Sequence, residues 1–339
     1  MKKLRVLALM HEHLVPPKDV TNIDVVEADW KMEFDVVETL GQIGHEVLTL
    51  GVSSNLGAIR KAVKEFAPHI VFNLLEDFHD VAIYDQNVVS YLELLRVPYT
   101  GSNPRGLLLS RDKALSKQLL SYHRIRVPEF GVFPMGRVPK KLKRLAFPLI
   151  VKSLTYDASV GISQASVVED HEKLRGRVRF IHESIGTDAI VEQYIDGREF
   201  YVGLLGNHRL RVFPVWEMHL SQLPEEARRI ATDRVKWSSK YQKKYGIRTG
   251  EAKGLTAEQS RQIQRICRRT YRILGLSGYA RIDLRMEASG KVYVIEANAN
   301  PQIAYGEDFA ESAEKAGVSY EKLIQSIVNL GRRWRPDRA

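Results

Sequence analysis

The segment Tyr279–Pro301, with the sequence YARIDLRMEASGKVYVIEANANP, is the most informative stretch of this chain. Two runs rich in β-branched and aromatic residues flank Glu287–Gly290, a short polar run that ends in glycine. This pattern predicts a β-hairpin. A short turn would pair residue 286 with residue 291 and would thereby fix the register of the two strands.

The predicted hairpin carries charged and amide side chains on one face. The register above places Asp283 opposite Val294 and Arg281 opposite Glu296. Because side chains alternate along a strand, Arg281, Asp283, Glu296 and Asn298 project from the same face. Carboxylate and amide oxygens are the ligands that Mg²⁺ prefers, and this ion is usually shared with substrate phosphates. The pattern favours a magnesium–polyphosphate site, and a solvated face with Arg–carboxylate pairs is the alternative.

From about Val71 to the C-terminal helix, and above all at this hairpin, the sequence resembles the D-alanine–D-alanine ligase branch of the ATP-grasp superfamily. The resemblance implies an α/β fold, α+β in its C-terminal half, with an N-terminal open parallel sheet and ATP held between two α/β lobes. It implies that Asp283, Glu296 and Asn298 bind the Mg²⁺ of ATP, with Mn²⁺ as an alternative ion. Arg281 would stabilise the acyl-phosphate and the tetrahedral intermediate.

Composition limits the class of protein. A chain of 339 residues with 44% hydrophobic residues is long enough for two or three packed layers. The single cysteine, Cys267, excludes a disulfide framework, so a cytoplasmic location is expected. The apolar run after Met1 stops early without a small-residue cleavage site, which favours a first β-strand over a signal peptide. No segment approaches the roughly 18 apolar residues of a membrane helix.

The net charge of +10 indicates an anionic ligand. The basic clusters Lys140–Arg144, Lys243–Lys244 and Arg332–Arg335 lie in different parts of the chain. No nucleic-acid-binding module is visible, so neither nucleic acid nor a membrane is an expected partner. Nucleotide phosphate, with an acidic co-substrate in addition, accounts for the surplus of positive charge.

The order of predicted elements indicates three domains. Strands and helices alternate up to about residue 95, which predicts a parallel sheet with flanking helices. We predict an N-terminal Rossmann-like domain over 1–105, a central ATP-grasp lobe over 106–190 and a C-terminal ATP-grasp lobe over 191–339. The weakly periodic polar stretch 218–254 predicts a mobile loop. Predicted strands are 4–10, 46–52, 69–74, 129–133, 147–152, 189–194 and 199–205, and predicted helices are 29–43, 56–66, 85–95, 110–122, 256–274 and 320–330.

Two lysines and a loop of small residues are candidates for phosphate binding. Lys113 lies at the start of a predicted helix, and Lys152 ends a predicted buried strand, where it would act as a point charge. The backbone N–H groups of the following loop, Thr155–Ile162, can cradle polyphosphate. Lysines usually occupy solvated faces, so the prediction depends on the order lysine, lysine, loop, acidic hairpin, which resembles the ATP-grasp layout. The resemblance assigns Ser159, Val160 and Gly161 to the phosphates.

The run Glu192–Glu199 resembles the hinge strand of similar ligases. The resemblance assigns Glu192 to the adenine amino group, Gln193 and Ile195 to backbone contacts with the base, and Glu199 to the ribose hydroxyls. An exposed acid after a turn is the alternative for Glu199.

The sequence Ser239-Lys240-Tyr241 resembles the lysine–tyrosine pair of the mobile loop that closes over the γ-phosphate. Closure would exclude water from an intermediate that hydrolyses readily. The resemblance therefore gives Lys240 a catalytic role and brings Tyr241 near the substrate. Competing basic residues for the same role are Lys236, Lys243 and Lys244.

The resemblance implies an ATP-dependent carboxylate–amine ligase that forms an amide through an acyl-phosphate, and it also implies a homodimer. Such a reaction needs mainly positioning and charge stabilisation from the protein. The alternatives are a kinase that phosphorylates a small molecule and a nucleotide-binding regulatory module without catalysis. The presence of Arg281 disfavours the module, because binding alone does not need this side chain.

The substrate side departs from the D-alanine–D-alanine ligase pattern. His11–Pro17 stands where those enzymes have His-Glu-Val-Ser, and Ala158 stands where they have a serine. Gln302 replaces a glycine of the oxyanion site, and Glu307 replaces a serine that binds the second carboxylate. An acid at position 307 would repel a carboxylate. We therefore expect an acid and an amine, small molecules or peptides, other than two D-alanines.

Acidic residues near the first strand and after the hairpin are candidates for binding amino groups. Glu12 follows the first strand at the usual ligand edge of an α/β sheet and could bind the amino group of the first substrate. Glu307 could then receive the cationic amine of the second. A metal shared by His11, Glu12 and His13 is not expected, because adjacent strand residues point to opposite faces. Further substrate candidates are Tyr241, Gln302, Asn73, Glu76 and Asp77.

Overall fold

The computed structural model contains three β-sheets within the residues that it describes, and helices pack against them. The first sheet is parallel and the other two are antiparallel, which confirms the predicted α/β class with an α+β C-terminal half. The described residues are 3–139, 145–156, 161–220, 222–224 and 226–336.

The N-terminal part is a parallel sheet with helices on both faces. Its elements are β1 (Arg5–His11), α1 (Lys31–Gln42), β2 (Glu46–Val52), α2 (Leu56–Phe66), β3 (Ile70–Asn73) and α3 (Asp85–Leu94). The strand order is β2–β1–β3, and β1 is apolar at nearly every position because both of its faces are covered. Val6 and Ala8 pack in one core cluster, and Leu7 and Leu9 pack in another. The carboxyl ends of β1 and β3 therefore meet at one edge of the sheet.

Two helices stand where one was predicted over 110–122. They are α4 (Pro104–Arg111) and α5 (Lys113–Tyr122). Asn103 caps α4, with Pro104 at its first position, a start signal that the predicted boundary missed. Asp112 separates the helices and accepts hydrogen bonds from the backbone N–H groups of Ala114 and Leu115, so α5 begins at Lys113.

The second sheet is antiparallel, with the order β4–β7–β5–β6. Its elements are β4 (Phe130–Phe133), β5 (Leu149–Ser153), β6 (Val167–Val168), α6 (His171–Phe180) and β7 (Ala189–Gln193). The helix α6 was not predicted. It buries only Leu174 and Val178, so its apolar periodicity is too sparse to be visible in the sequence.

The third sheet is antiparallel, with the order β11–β10–β8–β12–β13 and β9 paired to β8. Its elements are β8 (Arg198–Leu205), β9 (Arg211–Val212), β10 (Trp216–His219), α7 (Asp233–Trp237), α8 (Ser239–Lys244), β11 (Arg248–Glu251), α9 (Ala257–Ile273), β12 (Tyr279–Met286) and β13 (Val292–Ala299). The stretch 218–254, which was predicted to hold a mobile loop, contains two short helices and an edge strand. Its polar composition reflects short elements near the surface.

The chain ends with α10 (Asp308–Lys315), which was not predicted, and α11 (Tyr320–Arg333). Leu323, Ile324 and Ile327 of α11 pack in the same core cluster as β1. The last helix thus covers the first sheet, whereas the predicted division assigned it to the C-terminal lobe. Those domain boundaries stay a prediction. Within the described part of the chain, no helix combines the length and apolar character needed to cross a membrane.

The predicted hairpin forms between β12 and β13, but its register differs from the prediction. Asp283 lies opposite Glu296, and Arg281 lies opposite Asn298. Each partner is two residues further along the second strand than the sequence suggested. Because side chains alternate with period two, a shift of two residues leaves all four side chains on the predicted face.

The shift has two physical causes. The Glu287 N–H donates to the Lys291 carbonyl, so residue 291 belongs to the turn and Met286 pairs with Val292. A β-bulge at Ile295 then adds one unpaired residue to β13. A bulge inserts one residue into one strand of a pair, and nothing in the local sequence marks it.

The end of the hairpin is fixed to the segment between α3 and α4. The Asn300 side-chain oxygen accepts a hydrogen bond from the Ser102 N–H at 2.7 Å. Gly101 adopts φ +91° directly beneath it, and a Cβ atom there would collide with the Asn300 side chain. A glycine is therefore required at position 101. This contact connects the first sheet to the hairpin that carries the predicted metal ligands.

Candidate nucleotide and magnesium site

The third sheet separates polar from apolar side chains by the alternation of its strands. On one face, Ile282 and Leu284 pack with Cys267 of α9 in an apolar core cluster. The opposite face carries the predicted site, and neighbouring strands supply it in register because Asp283 lies opposite Tyr201 and Glu296. The polar residues of this face are Glu199 and Tyr201 of β8, Arg281, Asp283 and Arg285 of β12, and Glu296 and Asn298 of β13.

Arg281 and Asp283 form a buried ion pair at the centre of this face. The Arg281 guanidinium donates to both carboxylate oxygens of Asp283, at 2.7 and 2.9 Å, and lies 4.7 Å from the Tyr201 ring centre. The Asn298 side-chain amide also donates to Asp283, at 3.0 Å. Asp283 is 4% exposed, which excludes the alternative of a solvated hairpin face. Burial raises the pKa of Asp283 above its ordinary value, and the Arg281 charge opposes that shift.

Glu296 lies among lysines. Burial acts to raise the pKa of this carboxyl, but the charges of Lys113, Lys236, Lys152 and Lys117 lower it to about 2. Glu296 is therefore ionised at every physiological pH. A carboxylate that stays charged among four cations is suited to a site shared by a metal ion and a polyanion.

A second acid joins two of these lysines. Glu192 forms an ion pair with Lys117 at 3.0 Å and accepts a hydrogen bond from Lys152 at 3.1 Å, and both Lys117 and Glu192 are 1% exposed. Burial lowers the pKa of Lys117, and the nearby Glu192 carboxylate counteracts this. Sequence reasoning missed Lys117. The available signal was its spacing of four residues from Lys113, which places both lysines on one face of α5.

The phosphate loop is described only in part. Lys113 is 4% exposed, and its amine donates to the Tyr156 carbonyl at 2.8 Å, at the start of this loop. Gly161 adopts φ +70°, and its carbonyl accepts a hydrogen bond from Arg177. The predicted phosphate contacts Ser159 and Val160, and also Ala158, lie outside the described residues.

The hinge after β7 is held by an arginine that the sequence reading missed. Arg285 donates to one Glu199 oxygen at 3.0 and 3.1 Å and to the Ile195 carbonyl at 2.6 Å. The other Glu199 oxygen accepts from the Tyr201 hydroxyl at 2.8 Å, so Glu199 is not the exposed acid of the alternative reading. Arg285 could have been found by alternation, because it follows Asp283 by two residues on the same strand.

A cleft opens between the second and third sheets beside these residues. Lys152, Gln193, Lys236 and Glu296 contribute to its polar part. The wall nearest the hinge is apolar, which suits a flat heteroaromatic ring. Its apolar lining residues are Pro128, Ile150, Ile162, Tyr194, Ile195, Ile230, Ala231 and Ile295.

The lysine predicted to cover the γ-phosphate faces elsewhere. Lys240 is exposed on α8, and Tyr241 packs against Tyr245 with ring centres 4.7 Å apart. Lys236 of α7 lines the cleft instead and lies within electrostatic range of Asp283 and Glu296. The assignment to Lys240 stays a prediction, and Lys236, one of the competing lysines, is the one that lines the cleft. The chain changes direction at Ser238, which ends α7 and caps α8, and a lysine–tyrosine spacing carries no information about that break.

The predicted substrate residues are found on two loops. Glu12 is exposed in a 3₁₀ turn after β1, and the His11 and His13 ring centres are 5.1 Å apart. The alternation of adjacent strand residues assumed for His11, Glu12 and His13 does not apply here, because the strand ends at His11. After the hairpin, Gln302 is half-buried, and Glu307 is exposed at the start of α10 within electrostatic range of Arg281.

The residues of the hairpin fit a magnesium ion. Asp283 and Glu296 lie directly opposite each other and supply carboxylate oxygens. Because the Asn298 amide nitrogen donates to Asp283, its oxygen is the atom of that group able to bind a cation. Hard oxygen donors of this kind suit Mg²⁺ or Mn²⁺ better than softer metals.

Comparison with known sequences identifies the family. A family model described as D-ala D-ala ligase C-terminus matches residues 120–329, more than half of the chain. The members of this family are ATP-dependent ligases that form carbon–nitrogen bonds. The chain belongs to the D-alanine–D-alanine ligase family.

Two similar proteins illustrate the range of this relationship. The uncharacterized protein y4sG of Sinorhizobium fredii is 32% identical over 88% of this chain and 86% of its own length. The D-alanine–D-alanine ligase of Desulforudis audaxviator is 28% identical over 87% of this chain and 90% of its own length. The alignments therefore span nearly the whole of each protein.

Comparison of structures confirms the ATP-grasp fold. The crystal structure of the D-alanine–D-alanine ligase from Bacillus anthracis in complex with ATP superposes with a TM-score of 0.75. It is 21% identical and covers 99% of this chain and 100% of its own. The ligase from Coxiella burnetii superposes with a TM-score of 0.70 at 18% identity, covering 100% of this chain and 95% of its own.

Proposed function

We propose that the chain is a Mg-ATP-dependent ligase that joins a carboxylic acid to an amine, and that its substrates are not two D-alanines. The observation that carries the proposal is the convergence of Lys113, Lys117, Lys152 and Lys236 on Glu296, at one end of a cleft with an apolar hinge wall. A polyphosphate neutralises such a group of lysines, and an apolar wall suits the base of the same nucleotide.

The hinge would bind the adenosine. The Ile195 carbonyl is occupied by Arg285, which leaves the Ile195 N–H as its backbone group for the base. Glu199, held on both oxygens, would accept hydrogen bonds from the ribose hydroxyls. The Glu192 carboxylate lies between Lys117 and Lys152, so we assign it mainly to positioning these lysines. Its predicted contact with the adenine amino group is secondary.

The hairpin would hold the reacting phosphates. Asp283, Glu296 and Asn298 would bind the metal, and Mg²⁺ neutralises charge on the β- and γ-phosphates when it is bound. A substrate carboxylate oxygen bonds to the γ-phosphorus as the bond to the β–γ bridging oxygen breaks, which releases ADP. The amine then attacks the acyl carbon, loses a proton and expels phosphate. Arg281, fixed by Asp283, would stabilise the negative charge of both steps.

The substrate prediction is supported by the two loops near Arg281. Glu307 adds negative charge within electrostatic range of Arg281, and a second substrate carboxylate at this point would be repelled. Gln302 places a side chain where a D-alanine–D-alanine ligase would be expected to have glycine. The distinction concerns only the substrate half, because the nucleotide half matches the expected residues.

The direct test is turnover of Mg-ATP with panels of acids and amines, measured as ADP and phosphate release together with product mass. A ligase requires both an acid and an amine and yields the amide mass. A stable phosphoester without phosphate release would establish the kinase alternative instead. Nucleotide binding without turnover on any acid–amine pair would support the regulatory module.

Lys236, rather than Lys240, is expected to act in catalysis. Replacing Lys236 with methionine should lower kcat/KM by about 10- to 100-fold, because one charge that faces the phosphates is lost. Lys240→Met is the matched control on the exposed face of α8, and its activity should stay within about twofold of wild type. Equal losses in the two variants, or a larger loss in Lys240→Met, would contradict the assignment.

Arg285 is expected to determine nucleotide affinity. Arg285→Met retains an unbranched apolar side chain but leaves Glu199 without its cation, so KM for ATP should rise by about tenfold or more while kcat changes little. Arg261→Met, which breaks an exposed ion pair with Glu258, is the control and should be neutral. A fall in kcat with an unchanged KM would place Arg285 in a different role.

A further inference from the structure

The ligand edge of the first sheet is acidic, although the chain as a whole carries a net charge of +10. Residues 12–33, between β1 and the first turn of α1, contain six acids and two lysines. Residues 74–84, which follow β3, contain three acids and neither lysine nor arginine. The carboxyl ends of β1 and β3 bring these two loops together. The acidic composition of this edge points to a cationic ligand.

Glu33 is the unusual member of this acidic edge. It lies in the first turn of α1 and is 1% exposed, yet neither of its carboxylate oxygens has a hydrogen-bond partner on another residue of the described chain. A buried carboxylate without a partner is costly, and such groups are normally paired. A buried carboxylate that has no partner within the protein is typical of a site where a ligand supplies the partner.

The surroundings of Glu33 connect it to the reaction site. Glu76, which follows β3 and is exposed, and the buried Tyr279 at the start of β12 both lie within electrostatic range of Glu33. Tyr279 precedes Arg281 by two residues on the same strand. Glu76 thus adds a second carboxyl group close to Glu33.

The first turn of α1 is also tied to the loop that follows the metal hairpin. Lys31 donates to the Tyr305 carbonyl and to Asp35, and the Tyr305 N–H donates to Asp35 at 2.9 Å. Lys31 is thereby neutralised and does not satisfy Glu33. The turn that carries Glu33 thus borders the loop with Gln302 and Glu307, on the substrate side of Arg281.

We infer that the amine substrate carries a second positive charge, an ammonium or guanidinium remote from its reacting nitrogen, and that Glu33 binds this charge with Glu76 beside it. The inference rests on the proposed ligase function. A divalent metal is the less suitable cation, because it requires several clustered ligands and Glu33 offers one carboxylate next to an apolar core. An ammonium is satisfied by one or two carboxylates.

The test compares pairs of amines in which one member lacks the second amino group. Lysine and norleucine, ornithine and norvaline, and putrescine and butylamine are titrated calorimetrically into the full chain loaded with Mg²⁺ and a non-hydrolysable ATP analogue. We expect at least one amine with the second charge to bind at least tenfold more tightly than its analogue without it. Glu33→Gln should remove that preference, and Glu38→Gln, on the exposed face of the same helix, should retain it.

Proton release provides a readout that a purely structural role would not affect. Burial, together with Glu76, raises the pKa of Glu33 to about 8, so the group is mainly protonated at pH 7. An incoming ammonium would displace that proton, and the binding enthalpy at pH 7 should then depend on the buffer in wild type but not in Glu33→Gln. Thermal melting should show that Glu33→Gln is folded, with a midpoint at or above that of wild type, because a buried unpaired acid is removed.

Several outcomes would overturn the inference. Equal binding of charged and neutral amines, no binding of any charged amine, or a charge preference that survives in Glu33→Gln would each contradict it. Binding of Mn²⁺ or Zn²⁺ alone that depends on Glu33 would show that the ligand of this site is a metal ion and not an ammonium. Ligation of neutral amines as efficiently as charged ones would leave the ligase intact while the inference fails. Glu33-dependent amine binding without amide formation would leave this site intact while the ligase proposal fails.

Discussion

Arg281→Ala is expected to lower kcat by about 10²- to 10³-fold, the cost of removing one positioned donor from a developing negative charge. Both steps of the proposed reaction place negative charge near this guanidinium. Asp283 fixes its orientation, and the Tyr201 ring packs against it. Steady-state kinetics with Mg-ATP measures the loss, and equilibrium binding of ATP should change much less than kcat.

The control must separate catalysis from folding, because Arg281→Ala also leaves Asp283 buried without its partner. Arg281→Lys retains a charge and should recover part of the stability but little of kcat, since a lysine lacks the bidentate geometry. Arg272→Ala, exposed on the surface near the end of α9, should be neutral. Wild-type kcat in a folded Arg281→Ala protein would refute the site.

Glu33 is expected to make the unliganded protein less stable as pH rises from about 4.5 to 8. Its folded pKa of about 8 lies above its ordinary value of 4.5. The folded state therefore retains a proton that the unfolded state releases, and stability falls with rising pH across that interval. The shift corresponds to a destabilisation of the order of 5 kcal/mol once pH exceeds the folded pKa.

Urea unfolding of wild type and Glu33→Gln at several pH values isolates this effect. The difference between the two proteins should be small near pH 4.5 and should grow in favour of the variant up to about pH 8. Glu38→Gln, on the same helix, should show no such trend. A difference that is constant with pH would mean that Glu33 titrates normally and is not an unpaired buried acid.

The hairpin shows what the sequence could predict. Alternation and the polar turn were sufficient to place Arg281, Asp283, Glu296 and Asn298 on one face. The register itself was not predictable, since it depends on a five-residue turn and a bulge at Ile295. The prediction that these four side chains share one face was still correct, because the resulting shift in register is an even number of residues.

Residues that depend on tertiary contacts were beyond the sequence. Lys117 and Arg285 resemble ordinary surface charges until β7 and β8 bring Glu192 and Glu199 against them. Lys236 faces the cleft because of a helix break at Ser238, which spacing alone does not reveal. The role of each of these residues depends on a partner that is distant in the sequence, so the residue alone does not reveal it.

The measurement that tests the central claim most directly is oxygen transfer from the acid substrate to phosphate. The enzyme is given Mg-ATP, an amine and an acid whose carboxylate carries ¹⁸O, and the released phosphate is analysed by mass spectrometry. Attack of the carboxylate on the γ-phosphate predicts one ¹⁸O atom in each phosphate released. Amide formation with unlabelled phosphate would contradict the acyl-phosphate route.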